Sequence, residues 1–193
     1  ICDDKINISL NEAGYAQLRA EDVDEGSKDN CKLAKLHIRR PITLDENCNP
    51  LDTPRVSRWD SILTFTCCDL ALGYVKVELR ATDAAGNADY CWTTVWIEDK
   101  MKPWCRAPKD TTVYCDRLPK GVDFKNRSTI ARYFGAPQVG DNCFKAEWIE
   151  FDPVVKINNC GVGTVKRKFL ARDESGNQSP DTCVQWITIV PAH

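Results

Sequence analysis

The 193-residue sequence has few of the features that mark membrane-spanning or nucleic-acid-binding proteins. No stretch approaches the roughly 18 consecutive apolar residues that a transmembrane helix needs. Lys and Arg number 26 against 28 Asp and Glu. A net charge of −2 therefore gives no electrostatic case for binding nucleic acid or an anionic membrane surface. Because the chain opens Ile-Cys-Asp without methionine, we expect a piece excised or processed from a longer protein.

Catalytic signatures are also scarce. The sequence has two histidines, His37 in an alternating segment and His193 as its last residue, whereas Ser-His-Asp and Cys-His mechanisms need a histidine base. It has neither a phosphate-binding loop nor a dinucleotide fingerprint. The 28 acidic residues make chance carboxylate pairs common, and no segment marks a cleft. We therefore predict that no residue is catalytic and that the protein is not an enzyme.

Cysteine, by contrast, is abundant, with 11 residues. Their spread along strand-like segments predicts a disulfide framework in an oxidising compartment, and so an extracellular or cell-surface location. Zinc is the alternative, but its usual paired Cys-x-x-Cys or Cys/His clusters are missing, apart from the adjacent Cys67 and Cys68. Because 11 is odd, at least one cysteine is free or pairs outside the chain.

The chain repeats a set of motifs. Ala-Thr-Asp-Ala-Ala-Gly-Asn comes shortly before Cys91, and Ala-Arg-Asp-Glu-Ser-Gly-Asn comes shortly before Cys183. The other matching pairs are Cys2 with Cys105 and Asp29-Asn30-Cys31 with Asp141-Asn142-Cys143. Such a repeat predicts two tandem domains, 1–99 and 100–193, joined by the polar, proline-containing connector 98–103.

Short strands dominate the pattern. Val75, Val77 and Leu79 alternate with polar residues, as in a strand with one buried face, whereas Arg167 interrupts the apolar face of the second copy. The predicted strands are 5–10, 15–20, 33–38, 61–66, 74–81, 92–97, 111–114, 145–151, 164–171 and 184–190. A short helix is predicted over 126–134, with Ser128 as a candidate N-cap. Short strands with frequent turn signals predict that each domain is an Ig-like β-sandwich.

The repeated Asp-x-x-Gly-Asn is predicted to join the last two strands of each sandwich. Glycine supplies a positive φ there, and the Asp and Asn side chains can hydrogen-bond neighbouring backbone amides. The first and last strands of an Ig-like sandwich both start at the same end of the domain. We therefore expect Cys2 to bond Cys91 and Cys105 to bond Cys183, so that both domains are disulfide-stapled.

The ordered set of motifs resembles HYR-like and related Ig-like repeats of very large secreted and surface proteins of Bacteroidetes. In the first half the motifs are Cys2-Asp3, residues 20–27, Asp29-Asn30-Cys31, Phe65-Thr66-Cys67 and Ala81-Thr82-Asp83 with Gly86-Asn87. In the second half they are residues 112–116, Asp141-Asn142-Cys143, Cys160-Gly161, Ala171 and Asp173 with Gly176-Asn177, and residues 185–190. The resemblance covers nearly the whole chain.

The sequence also departs from the family pattern. Ala85 and Ser175 stand where many repeats of the second type have a cysteine, and the first half carries the extra Cys48 and Cys68. For the internal bridges the alternatives are Cys31 with Cys67 or Cys68, Cys48 with the other, and Cys160 with Cys143 or Cys115, which leaves one odd thiol.

The resemblance implies a stalk or adhesin segment that is exported and displayed at the cell surface, in some cases as a gliding-motility filament. Its partners would be neighbouring repeats, a surface polysaccharide or another cell-surface protein. One alternative is a carbohydrate-binding accessory module of a secreted enzyme. Another is an extracellular eukaryotic HYR interaction module.

Two groups of oxygen-bearing side chains suggest calcium, which favours such hard ligands. In the first half, the acidic cluster Glu21, Asp22, Asp24, Glu25 and Asp29 would face Asp83 and Asn87. In the second half, Asp141, Asp173 and Asn177 would be joined by Glu98 and Asp99 of the connector. The alternative is that Asp and Asn only stabilise turns, because no EF-hand spacing is present.

The six tryptophans offer a second kind of site. Trp92 and Trp96 fall on one face of the last strand of the first domain. Together with Trp59 and Tyr90 they could form an aromatic platform for sugars. We favour packing in the core and the hairpin, because aromatic side chains dominate small cores.

Overall fold

The structure, a computed structural model, describes residues 2–27 and 33–192. Its contacts divide the chain into a first unit, Ile1–Met101, and a second unit, Lys102–His193. The predicted boundary after residue 99 lies two residues before this division. Both units are built mainly from β-strands, as the alternating segments predict.

In the first unit, two sheets enclose the core as a β-sandwich. Its elements are β1 (Lys5–Ser9), β2 (Tyr15–Arg19), α1 (Ala20–Val23), β3 (Leu33–Arg39), β4 (Pro41–Leu44), β5 (Pro50–Val56), β6 (Ile62–Thr66), α2 (Cys67–Leu70), β7 (Tyr74–Asp83) and β8 (Ala88–Glu98). The larger sheet has the order β1-β8-β7-β3, and β2 pairs with β6. Val77 and Val95 of the larger sheet and Phe65 of β6 have no exposed surface. This alternation of buried and exposed residues is what a strand with one covered face requires.

The second unit has a larger main sheet and a smaller partner. Its elements are β9 (Trp104–Arg106), β10 (Thr111–Tyr114), the 3-10 turn Cys115–Arg117, α3 (Arg127–Phe134), β11 (Gln138–Gly140), β12 (Glu147–Glu150), β13 (Val154–Ile157), β14 (Gly163–Arg172) and β15 (Cys183–Val190). The main sheet has the order β10-β15-β14-β12, with β13 also paired to β14. Helix α3 covers it through Ile130, which packs with Val165 and Ile187.

Both units place their first and last main-sheet strands side by side. β1 runs parallel to β8, with Lys5 opposite Thr94 and Ser9 opposite Glu98. β10 runs parallel to β15, with Thr111 opposite Ile187. The chain therefore enters and leaves each main sheet along neighbouring strands.

The structure corrects several local predictions. Asn126, not Ser128, is the N-cap of α3, because its Oδ1 accepts hydrogen bonds from the amides of Ser128 and Thr129. The β4–β5 hairpin was not predicted, because Pro50 and Pro54 argue against a strand. Proline is tolerated here because the hairpin forms a two-stranded sheet of its own, in which each strand leaves one edge unpaired. The short strands β9, β11 and β13 were also missed.

Candidate functional site

The repeated Asp-x-x-Gly-Asn forms a hydrogen-bonded hairpin turn in each unit. Between β7 and β8, Oδ1 of Asp83 accepts from the amides of Ala85 and Asn87, both at 2.8 Å. The side-chain amide of Asn87 donates to the other carboxylate oxygen at 2.7 Å. Gly86 has φ +92°, a conformation that glycine adopts without strain. The motif therefore serves as turn chemistry at this position.

The second copy has the same geometry. After β14, the backbone amide of Asn177 donates to Oδ1 of Asp173 at 2.7 Å, and its side-chain amide donates to Oδ2 at 2.8 Å. The two copies differ in exposure, because Asp173 is buried whereas Asp83 is not. Hydrogen bonds, above all from the side chain of Asn87, lower the pKa of the exposed Asp83 carboxyl.

The same turn occurs in three further loops that the sequence analysis missed, two of which close a hairpin. In each, an Asn or Asp side chain accepts from amides two and four residues later, and the third residue after it has a positive φ. The turns begin at Asn11, Asp45 and Asn158. Cys48 takes the glycine position in the turn of Asp45, with φ +63°. An Asn/Asp-x-x-Gly search of the sequence would have found the other two.

The structure assigns local roles to several residues of the predicted calcium groups. Asp22 accepts from the amide of Arg19 at the start of α1, and Asp24 accepts from the amide of Ser27. Asp29 lies outside the described residues. In the first unit, Asp99 is buried and accepts from the amide of Met101 at 3.0 Å.

Within the second unit, two of the predicted calcium ligands come together. A carboxylate oxygen of Asp141 lies within 4.8 Å of one of Asp173. Asp173 is buried and Asp141 is half-buried. Two carboxylates this close repel each other when both are ionised, and a cation between them would relieve the repulsion.

Disulfides close both units. Cys2 bonds Cys91 and Cys105 bonds Cys183, which are the two pairs that the strand order predicted. Cys48 bonds Cys68, one of the two alternatives left open for the first unit. Cys31 lies outside the described residues.

The prediction that Cys160 pairs with Cys143 or Cys115 is wrong in this structure. Cys160 and Cys115 are both free thiols. Cys160 lies exposed in the turn that begins at Asn158, and Cys115 lies in the 3-10 turn after β10. Cys143 is disulfide-bonded, so Cys160 is not its partner.

The interior of the second unit contains a buried polar network that explains Arg167. This side chain is fully buried and donates to both carboxylate oxygens of Glu150, at 2.8 and 3.3 Å. It also donates to the side-chain oxygen of Gln185 at 2.7 Å and to the backbone oxygen of Gly135 at 2.8 Å. A buried guanidinium is tolerated when it is paired and hydrogen-bonded in this way.

Gln185 extends the network to two backbone carbonyls. Its Nε2 donates to the oxygens of Lys109 and Phe134, both at 2.9 Å. These carbonyls belong to the segment before β10 and to the end of α3, where regular backbone pairing stops. Arg167 and Gln185 thus supply hydrogen bonds to backbone carbonyls of these irregular segments.

The favoured prediction was that Trp92 and Trp96 pack in the core and the hairpin, and its core part is wrong. Both tryptophans lie on the outer face of β8, with exposed fractions of 57% and 40%. Trp96 does pack against Tyr74 across the β7–β8 hairpin, with ring centroids 5.2 Å apart. Thr93, Val95 and Ile97 take the inward positions instead. Trp59 is half-buried between the guanidinium groups of Arg39 and Arg80, 4.3 and 4.6 Å from its ring centroid.

Comparisons with solved structures find fibronectin(III)-like modules and cadherin domains among the matches to this chain. The fibronectin(III)-like modules of Clostridium thermocellum CbhA are 13% identical, with a TM-score of 0.30, over 98% of this chain and 91% of that one. Human CDH23 EC21-23 is 12% identical, with a TM-score of 0.40, over 97% and 73%. Drosophila N-cadherin EC1-4 is 10% identical, with a TM-score of 0.39, over 97% and 47%.

Comparisons with family models and with curated proteins gave no match. Among the described residues, none of the helices has the length and apolar character needed to cross a membrane.

Proposed function

We propose that this chain is a non-catalytic structural and adhesive segment of a large exported cell-surface protein, acting as a stalk or adhesin. The observation that carries the proposal is that a disulfide in each unit joins a cysteine near its start to a cysteine in its last strand. Cys2 and Cys91 are 89 residues apart, and Cys105 and Cys183 are 78 apart. Each bridge therefore encloses most of its unit.

The position of the bridges supports a load-bearing role. Because Cys2 bonds Cys91 within β8, tension on the chain ends passes through the bridge and along β8, so it bypasses residues 3–90. In the second unit, tension passes through the bridge from Cys105 to Cys183, where β15 begins. The disulfide therefore prevents the enclosed residues from extending even if their hydrogen bonds break. A spacer that must keep its length under tension benefits from this feature.

The cysteine chemistry supports export. Structural disulfides form and persist in oxidising compartments and are rare in the cytosol. This supports an extracellular or cell-surface location, and the resemblance to HYR-like repeats of gliding adhesins gives one context for it.

Surface labelling tests the cellular part of the proposal. Antibodies against this chain should label intact cells of the source organism, and protease treatment of those cells should remove the signal. A signal that appears only after the cells are permeabilised would contradict it.

We also propose that the second unit binds calcium between Asp141 and Asp173. Their separation and burial support this, and Asp83, Asn87, Asp99 and Asn177 remain ligand proposals from the sequence alone. Calcium at millimolar concentration, the range of weak extracellular modules, should raise the melting temperature relative to EGTA. Asp141→Asn should abolish the rise, whereas Asp52→Asn, which changes an exposed carboxylate of β5, should retain it. An unchanged melting temperature in the native protein would contradict the site.

A further inference from the structure

The outer face of the first unit's larger sheet carries two groups of exposed aromatic side chains, separated by a polar row. The strand registers set its side chains in rows: Asn7, Trp96 and Tyr74; Lys5, Thr94 and Lys76; Trp92, Glu78 and Arg39; Tyr90, Arg80 and His37. We call these four rows the aromatic face. Its aromatic residues occupy alternate positions of β8 and the start of β7.

These aromatic side chains are unusually open to solvent. The exposed fractions are 49% for Tyr74, 51% for Tyr90, 57% for Trp92 and 40% for Trp96. Leaving apolar rings in water forgoes about 25 cal/mol for each Å² that could be buried. Exposed apolar side chains that are grouped on one face and bordered by polar residues commonly mark a binding site. We therefore infer that a ligand covers the aromatic face.

The charge of the face indicates the kind of ligand. Glu78 pairs with Arg39, and Glu98 at the border pairs with Lys100 at 2.6 Å. Lys5, Lys76 and Arg80 form no ion pair with any residue that the structure describes. The face therefore combines aromatic rings with uncompensated positive charge, which suits an anionic partner that also has flat apolar surfaces.

The positions of the lysines define the ligand further. Trp92 and Trp96 are four residues apart on β8, which places them about 13 Å apart. The row of Lys5 and Lys76 crosses β8 at Thr94, midway between the two indoles. Nζ of Lys5 lies 5.0 Å from the Trp96 ring centroid. An extended ligand along β8 would thus meet an aromatic ring, then two ammonium groups, then a second aromatic ring.

We propose that the aromatic face binds an acidic polysaccharide containing uronic acids. The C–H faces of pyranose rings stack on Trp92 and Trp96, and sugar carboxylates between them pair with Lys5 and Lys76. A neutral glycan could use the rings but would bring no anionic partner to the ammonium groups of Lys5 and Lys76. The inference rests on the adhesive part of the proposed function, for which it names the ligand class.

The second unit offers a matched comparison on its own last strand. Trp186 is 41% exposed on β15, and Nζ of Lys166 lies 4.9 Å from its ring centroid. The alternate positions on either side are Val184 and Thr188, so no second tryptophan follows. A single Trp–Lys pair gives one stacking position, which is too little for a polysaccharide.

Affinity electrophoresis of the whole chain, with disulfides intact, tests the proposal. Gels containing polygalacturonate or alginate should retard the protein, whereas gels containing neutral dextran should not. Trp92→Ala with Trp96→Ala should weaken binding about tenfold or more, as loss of central aromatic contacts does. Trp186→Ala should bind as the native protein does. Lys5→Gln with Lys76→Gln should weaken binding several-fold and reduce its salt dependence.

Melting curves check that the variants fold. If the double tryptophan variant does not fold, the double lysine variant still tests the proposal. The proposal is overturned if polygalacturonate and dextran retard the protein equally, or if the variants at residues 92 and 96 bind as Trp186→Ala does. Equal affinity for oligo-dT, or a dimer that Trp92→Ala dissociates, would assign the face to another partner and also overturn it. These outcomes leave the surface-labelling result unchanged, so failure of the ligand and failure of the proposed function are distinguishable.

Discussion

The two units build their last two strands alike but enclose different interiors. Six residues before the Asp of the repeated turn, the first unit has Val77 and the second has Arg167. Opposite them on the last strand lie Thr93 and Gln185. In the first unit, the inner layer is the strand pair β2–β6, whose backbone groups bond each other. In the second, the interior also receives the end of α3 and the segment before β10, which need side-chain partners.

The difference shows that one hairpin framework can accept an apolar or a polar interior, depending on what covers it. A regular strand pair allows Val77 at the inward position. The irregular segments that cover the second interior bring backbone carbonyls into it. These carbonyls need hydrogen-bond donors, which Arg167 and Gln185 supply.

The largest expected effect comes from breaking the buried ion pair of the second unit. Glu150→Gln leaves the Arg167 guanidinium buried without its counter-charge, which should lower the free energy of unfolding by about 3–5 kcal/mol. In the first unit, Glu78→Gln removes the partner of Arg39, which is about one-third exposed, and should cost about 1 kcal/mol or less. Chemical denaturation of both variants measures the contrast. Equal losses would show that the network does not distinguish the two interiors.

Removing the terminal bridges should affect the two units similarly. Replacing both cysteines of a pair by alanine should cost each unit about 2–5 kcal/mol. The costs should be close, because separations of 89 and 78 residues give nearly equal loop entropies. Calorimetry of Cys2→Ala/Cys91→Ala and of Cys105→Ala/Cys183→Ala provides the comparison. If only one of the two double variants lost stability, the two disulfides would not contribute equally.

The residues opposite Val77 and Arg167 should respond with opposite signs. Oγ1 of Thr93 is buried without a hydrogen-bond partner among the described residues, so Thr93→Val should stabilise the first unit by about 1 kcal/mol. Gln185→Leu removes a donor to the backbone carbonyls of Lys109 and Phe134 and should destabilise the second unit by about 1–3 kcal/mol. Urea denaturation of the two variants measures both changes. A destabilised Thr93→Val variant would mean that the hydroxyl has a partner.

The smallest expected effect is the pH dependence of the exposed turn. The pKa of Asp83 is lowered, chiefly by the side chain of Asn87. The ionised Asp83 carboxylate therefore stabilises the fold above the pKa of Asp in the unfolded chain, near 3.9. This stabilisation is lost as the pH falls through the pKa of Asp83 in the folded protein. Asp83→Asn should be less stable than the native protein at pH 7, with the difference shrinking below about pH 4. Urea denaturation at the two pH values measures this, with Asp52→Asn as the control. A pH-independent difference would contradict the pKa shift.

Much of the fold could be predicted from the sequence where a pattern is local. Alternation located β7 and β14, and the turn motif located the hairpins that follow them. The bridges Cys2–Cys91 and Cys105–Cys183 followed from strand order. The tertiary surroundings of a side chain were harder to predict. Arg167 looked like an interruption because its partner Glu150 lies 17 residues away, on another strand.

The candidate site shows the same limit. The alternation along β8 put Trp92 and Trp96 on one face, but it could not say which face meets the core. Packing of the tryptophans was the favoured prediction, yet both point outward and Thr93 is buried. The row of Lys5 and Lys76 between them depends on the pairing of three strands, which the sequence does not display.

Single-molecule force extension tests the load-bearing account most directly. With disulfides intact, each unit should lengthen only by residues outside its bridge. Reduction should release a further extension of about 300 Å from the first unit and about 270 Å from the second, at roughly 3.3–3.6 Å per residue. The same extension in oxidised and reduced protein would contradict the claim that the two bridges fix the length of this segment under load.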